Sequence, residues 1–151
     1  MEKQESRVGK AVEMFESGYN CCQSVFATYA DLFGMDKETA LKISSPMGAG
    51  IGRMREVCGT VSAMAMLSGL KYGNTDPEDI KKKEEIYALV RKMSDKFEAE
   101  KKSIICRELL GLNVKREESA KPEERTAQYY MTRPCSNLIA YAASIIEETL
   151  L

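Results

Sequence analysis

The chain has 151 residues, with 22 Lys+Arg against 23 Asp+Glu and a net charge of −1. It contains five cysteines, no histidine and no tryptophan. A chain of this length is expected to form one domain and to bury roughly two-thirds of its unfolded surface without disulfide staples. The missing histidine excludes a Ser-His-Asp or Cys-His nucleophile pair, a Cys2His2 zinc site and histidine-ligated haem. The charge balance gives no general nucleic-acid footprint. No apolar run reaches the ~18 residues that would span a bilayer. The opening MEKQESRVGK is charged, with no apolar signal core, so the expected location is cytoplasmic. In a reducing compartment cysteines are free, metal-binding or redox-active more often than bridged.

The apolar spacing is helical from end to end. Val8, Ala11, Val12 and Phe15 recur at three- and four-residue steps and predict a first helix ended by Ser17-Gly18. Asn20 is a good N-cap for a second helix carrying Cys21, Val25, Tyr29 and Leu32, stopped at Gly34. Asp36 caps a short third helix with Ala40, Leu41 and Ile43 inward. Ser45 to Gly52 reads SPMGAGIG, a glycine-rich break. From about Val57 to Leu70 the residues are apolar nearly all round, which predicts the central, most buried helix, with Gly73 as its C-cap.

Asn74-Thr75-Asp76-Pro77 signals the next start, and a long helix follows with Ile80, Ile86, Tyr87, Leu89, Val90, Met93 and Phe97. Its Lys81 to Glu85 charge run reads as a solvated face. A short helix begins near Lys101 to Ser103 and ends at Gly111. Residues 113–124 are polar and are expected to be mobile. Two helices close the chain, Glu123 to about Thr132 and Pro134 to Leu150. No segment alternates with period two. The expected fold is an all-α, single-domain bundle of six to eight helices over 1–151, with no β-sheet.

The cysteines fall on this map in an ordered way. Cys21, Cys58, Cys106 and Cys135 all lie in predicted first turns of helices, and Cys22 points about 100° away from Cys21. The partial positive charge of a helix start favours thiolate, and Arg53, Arg55, Arg107 and Arg133 stand nearby in sequence. Lowered thiol pKa values are therefore expected, with Cys58 as the attacking sulfur. There is no C-x2-C, so any shared site must be assembled in three dimensions.

These contexts resemble the C_GCAxxG_C_C family, whose members have about this length and whose redox role is inferred from their cysteines. Asn20-Cys21-Cys22-Gln23 matches its first cysteine context, and Cys58-Gly59 its glycine motif, with Thr60 in place of an alanine and Ala63 in place of a glycine. Cys106 to Gly111 and Cys135 match the last two cysteines, and Cys22 falls outside the pattern. The resemblance implies a thiol–disulfide centre, or four thiolate ligands (Cys21, Cys58, Cys106, Cys135) for an iron–sulfur cluster or zinc. A related domain in split-Soret cytochromes is associated with an iron–sulfur cluster; the absence of C-x-x-C-H here leaves no haem attachment.

Other groups have weaker chemical readings. Gly48, Gly50 and Gly52, with Gly59, could offer amides to a cofactor, though a flexible connector is the simpler reading. Met47, Met54, Met64 and Met66 could bind Cu(I), but core filling is the ordinary role. Glu56 could exchange a proton with Cys58 or merely favour the helix start. Tyr72, Tyr129 and Tyr130 suit interfacial packing. The partners implied are a redox protein or a small-molecule thiol. A helical binding or scaffold module with core cysteines is the alternative, and a homodimer through the apolar central helix is a third possibility.

Overall fold

The computed structural model describes residues 5–112 and 119–151. Among the described residues eight α-helices run in chain order: α1 (Val8–Glu16), α2 (Cys21–Tyr29), α3 (Lys37–Ser44), α4 (Gly59–Tyr72), α5 (Ile80–Lys101), α6 (Cys106–Leu109), α7 (Ala127–Thr132) and α8 (Cys135–Leu150). Short 3-10 turns span Ala30–Phe33 and Ser45–Met47. Among the described residues there is no sheet, only one isolated antiparallel bridge between Val57 and Ile105. No described helix is long and apolar enough to cross a membrane.

The middle of the bundle is α2, α4 and α8. α2 packs on α1, α3, α4 and α8, and α4 packs on α2, α5 and α8. Phe15, Phe26, Tyr29, Met64, Leu67, Met93, Phe97, Ile139, Ile145 and Ile146 are fully buried between them. Each such side chain contributes roughly 1.5–3 kcal/mol of transfer free energy. Gly59, Thr60, Ser62, Ala63 and Ser68 are buried on α4, and their small size lets the neighbouring helices come close. Ala63 lies inside this regular helix without a left-handed φ, so its backbone does not require the family's glycine. At one edge the buried Tyr29 hydroxyl donates to the Glu147 carboxylate, which also accepts from the Arg7 backbone N–H at 2.8 Å.

The helix starts follow their caps. Asn20 and Gln23 form a reciprocal capping box, with bonds of 2.9 and 3.1 Å. Asp36 accepts from Thr39 N–H at 3.0 Å. The long helix begins at Ile80, three residues later than Asp76-Pro77 suggested. Asn74 and Asp76 spend their side chains on the N–H groups of Asp76 and Glu78, two successive local turns, and Asp79 caps by accepting from Lys82 N–H at 3.0 Å. The short helix likewise begins at Cys106 rather than near Ser103, because residues 104–106 pair in extended form with 56–58. The penultimate helix begins at Ala127, not Glu123, with Thr126 as its cap.

Some faces differ from the sequence expectation. α3 buries Ala40 and Ser44, one turn apart, and packs Leu41 partly against the core, which leaves Ile43 51% exposed. Of the apolar residues of α5 only Met93 and Phe97 are buried, and Ile80 and Tyr87 face outward. Gly73 does end α4, but at φ −58°. Its requirement is space, since a Cβ there would meet the Gly69 carbonyl oxygen at 2.3 Å. Met64 is core, whereas Met54 is exposed. Part of the polar stretch expected to be mobile, 113–118, lies outside the described residues; 119–124 are held by the contacts described below.

Candidate functional site

Each of the four motif cysteines sits where a helix begins. Cys21, Cys106 and Cys135 are the first residues of α2, α6 and α8, and Cys58 is the N-cap of α4. All four line a single small cavity of about 70 Å³, with Phe15, Leu109, Tyr129 and Leu138 forming its apolar wall. All five cysteines are free thiols; Cys58 and Cys106 are buried, while Cys21 and Cys135 are half-buried. Cys22, one residue from Cys21, turns into the core with no exposure.

Backbone bonds fix the spacing of two of the sulfurs. Cys58 N–H donates to Ile104 O at 2.8 Å and Cys106 N–H donates to Glu56 O at 2.6 Å, on either side of the Val57–Ile105 bridge. Arg107 N–H adds a bond to Arg55 O at 3.2 Å. Cys21 reaches the same place because Gly59 has no side chain. A Cβ there would stand 2.5 Å from Cys21 Sγ and 3.0 Å from Cys22 N. Thr60, the departure from the family alanine, puts its hydroxyl 3.1 Å from Cys58 Sγ.

A basic rim closes the cavity. Arg55, only 7% exposed, donates from Nη1 to Cys106 Sγ at 3.8 Å. Its Nη2 lies 3.8 Å from Glu123, which also binds Arg133 and lies 3.7 Å from Arg53. Arg53 donates to the backbone oxygens of Ser119 and Lys121. Arg125 bonds the Phe15 and Tyr19 carbonyls at 3.1 Å each and stacks on Phe15, 4.6 Å from its centroid. Glu56 pairs with Arg107 at 2.9 Å. Tyr129 and Tyr130 pack against Phe15, and Tyr72 stacks with Lys71 and Lys82.

The thiol electrostatics run opposite to the helix-start expectation. Burial, then the charge of Cys21, pushes the Cys58 thiol up to about 12, against a smaller lowering by its bonds to Thr60. Burial, Cys21 and Cys106 push Cys135 up to about 12 as well. Cys106 is raised by burial, offset in part by Arg55. Cys22 is raised by burial and by its neighbours Cys21 and Cys58. For Cys58, Cys106 and Cys135, burial, reinforced by neighbouring sulfurs, outweighs the partial charge of a helix start. The α6 start is especially weak, with only four residues of helix behind it.

The glycine segment folds into a hydrogen-bonded turn. Ala49 to Arg53 form a left-handed turn, closed by Gly52 N–H to Pro46 O at 2.8 Å and Glu56 N–H to Gly50 O at 2.9 Å. Gly48 packs on the Asn20 side chain, Gly50 packs on the backbone of Arg55 and Glu56, and Gly52 faces open space. Of the four glycines singled out, only Gly59 lines the sulfur cavity. The sequence did not flag Glu123, Arg125, Phe15 or Leu138 as part of the site. They arrive through tertiary packing and leave no local signature.

Four cysteines at four helix starts, drawn to one cavity by a glycine contact and a backbone bridge, define a sulfur-centred class of helical protein. The C_GCAxxG_C_C family model, described as "Putative redox-active protein (C_GCAxxG_C_C)", matches residues 19–149. The chain belongs to this family. No curated protein and no solved structure matches it.

Proposed function

We propose that the chain is a single helical redox domain whose Cys21, Cys58, Cys106 and Cys135 hold an iron–sulfur cluster and exchange electrons with a redox partner protein. The observation that carries this reading is the convergence of all four sulfurs on one cavity. The donor set suits such a group: four thiols, no histidine, and an N–H donor from Arg55 on one sulfur. A lone zinc ion fits less well. It needs its sulfurs at about 2.3 Å from one point, and no three Cys, Asp or Glu among the described residues are grouped to hold one ion. Four thiols lining one cavity suit a cluster of several irons. When bound, the cluster would supply one-electron storage.

The chain's own residues would do the rest. The 55–58 and 104–107 pairing holds Cys58 and Cys106 in register, and Gly59 admits Cys21 beside them. Phe15, Leu109, Tyr129 and Leu138 would give the centre an apolar wall. Such chemistry belongs in a reducing cytoplasm. The half-burial of Cys21 and Cys135 favours a second reading, in which one of them exchanges disulfides with a small-molecule thiol, Cys58 being too enclosed to attack first.

Protein purified without oxygen is expected to be coloured, to absorb broadly in the visible, and to contain iron and acid-labile sulfide. A colourless, metal-free protein with reversible disulfides would overturn the cluster in favour of exchange. Thiols that react only on unfolding, with no metal bound, would leave a helical binding module.

A further inference from the structure

The turn before α4 carries an unusual concentration of left-handed backbone. Ala49, Gly50, Ile51, Gly52 and Arg53 have φ values of 55°, 70°, 66°, 56° and 63°, and Arg55 follows at 59°. For a residue with a side chain this conformation costs roughly 1–2 kcal/mol, and for β-branched Ile51 it is a true outlier. Strain of this kind persists where the surroundings over-determine it, and it collects at functional sites.

What the turn delivers is the Arg55 guanidinium. The side chain is buried, with Nη1 against Cys106 Sγ and Nη2 against Glu123. Its base is fixed too, because the Arg55 carbonyl accepts both from Arg107 N–H at 3.2 Å and from Arg107 Nη1 at 3.3 Å. The same guanidinium is therefore tied to the helix that begins with the sulfur it faces. Glu123, its side chain 43% exposed, lies beyond it, 3.8 Å from Nη2.

Building on the cluster reading, we infer that Arg55 sets the electron affinity of the sulfur centre and that Glu123 moderates it. One electron arrives from the redox partner, no covalent bond changes, and the centre gains one negative charge. A fixed guanidinium on a ligand sulfur, away from bulk water, favours the more negative state. A carboxylate on the far side of that guanidinium disfavours it. The two residues must therefore act with opposite sign, and Arg55 the more strongly because it touches the sulfur. Arg55 is a positioning residue, since it acts through Cys106.

The test is a reductive titration without oxygen of the wild type, Arg55→Lys, Arg55→Gln and Glu123→Gln, each reconstituted with iron and sulfide, with iron per chain measured alongside. Arg55→Gln should lower the one-electron reduction equilibrium constant about tenfold, which is 59 mV. Arg55→Lys should lie between it and the wild type, and Glu123→Gln should shift the other way by less. If Arg55→Gln does not fold, the opposed shifts of Arg55→Lys and Glu123→Gln carry the result. Full iron loading with an unmoved potential, or shifts of the same sign in both positions, overturns this role alone. A wild type that takes up no cluster overturns it together with the function it rests on.

Discussion

Two walls meet at the sulfur cavity, and they are built on different principles. One comes from the starts of α2, α4 and α8, regular helices whose other faces form the core. The other comes from the left-handed turn, the extended 103–105 segment and residues 119–126, joined by bridges of backbone and arginine. The helical wall gains its precision from burial, so a change there is felt by the whole fold. The irregular wall is partly wet and contributes charge. Altering it should change the chemistry of the cavity more than the stability of the chain.

The largest expected effect is on the helical wall. Cys58→Ser should abolish iron retention, while Cys22→Ala, one residue beyond the proposed ligand Cys21 but facing the core, should keep it; iron and sulfide analysis decides. Gly59→Ala comes next. Its Cβ would press on Cys21 Sγ and on the Cys22 backbone, so a loss of about 1–3 kcal/mol is expected in denaturant unfolding of the metal-free protein. Thr60→Ala removes the hydroxyl on Cys58 but restores the residue type of the family. It should cost about 0.5–1.5 kcal/mol and leave the cluster in place, and retained iron with a lower thermal midpoint would bear this out.

The smallest effect on stability belongs to the irregular wall. The hydrogen bond from Arg133, with the charges of Arg55 and Arg53, holds the Glu123 carboxyl below its ordinary 4.5. A carboxylate lowered in the folded state stabilises the fold above its unfolded pKa, and loses that contribution as pH falls through the folded value. Wild-type stability should therefore decline below about pH 4.5 more steeply than that of Glu123→Gln. At neutral pH the two should differ by less than about 1 kcal/mol, because Glu123 is partly exposed and screened. A larger gap at neutral pH would mean that the irregular wall also carries the fold.

The helical wall was also the legible one. Asn20 with Gln23, Asp36 and Pro134 are local signals, and they put Cys21, α3 and Cys135 where they are found. Cys58 and Cys106 lie within a turn of the helix starts that the apolar spacing predicts. The irregular wall was hidden because nothing local writes it. Asn74, Asp76 and Asp79 are equally good caps in isolation, and only the tertiary setting selects Asp79. Glu123 sits in a polar stretch that reads as loop until Arg53, Arg55 and Arg133 are seen around it. The direction of the thiol shifts was missed because a helix start acts on one residue, whereas desolvation and mutual repulsion belong to the assembled set.

The Val57–Ile105 bridge also makes the site divisible. It joins the two ends of the α4–α5 hairpin through backbone bonds that do not involve α8. Cys58 and Cys106 are held across that pairing, and Gly59 admits Cys21 beside them. Cys135 joins the set through the docking of α8 on α1, α2, α4 and α5. Undocking of that one helix would open the cavity and leave a half-site of three sulfurs.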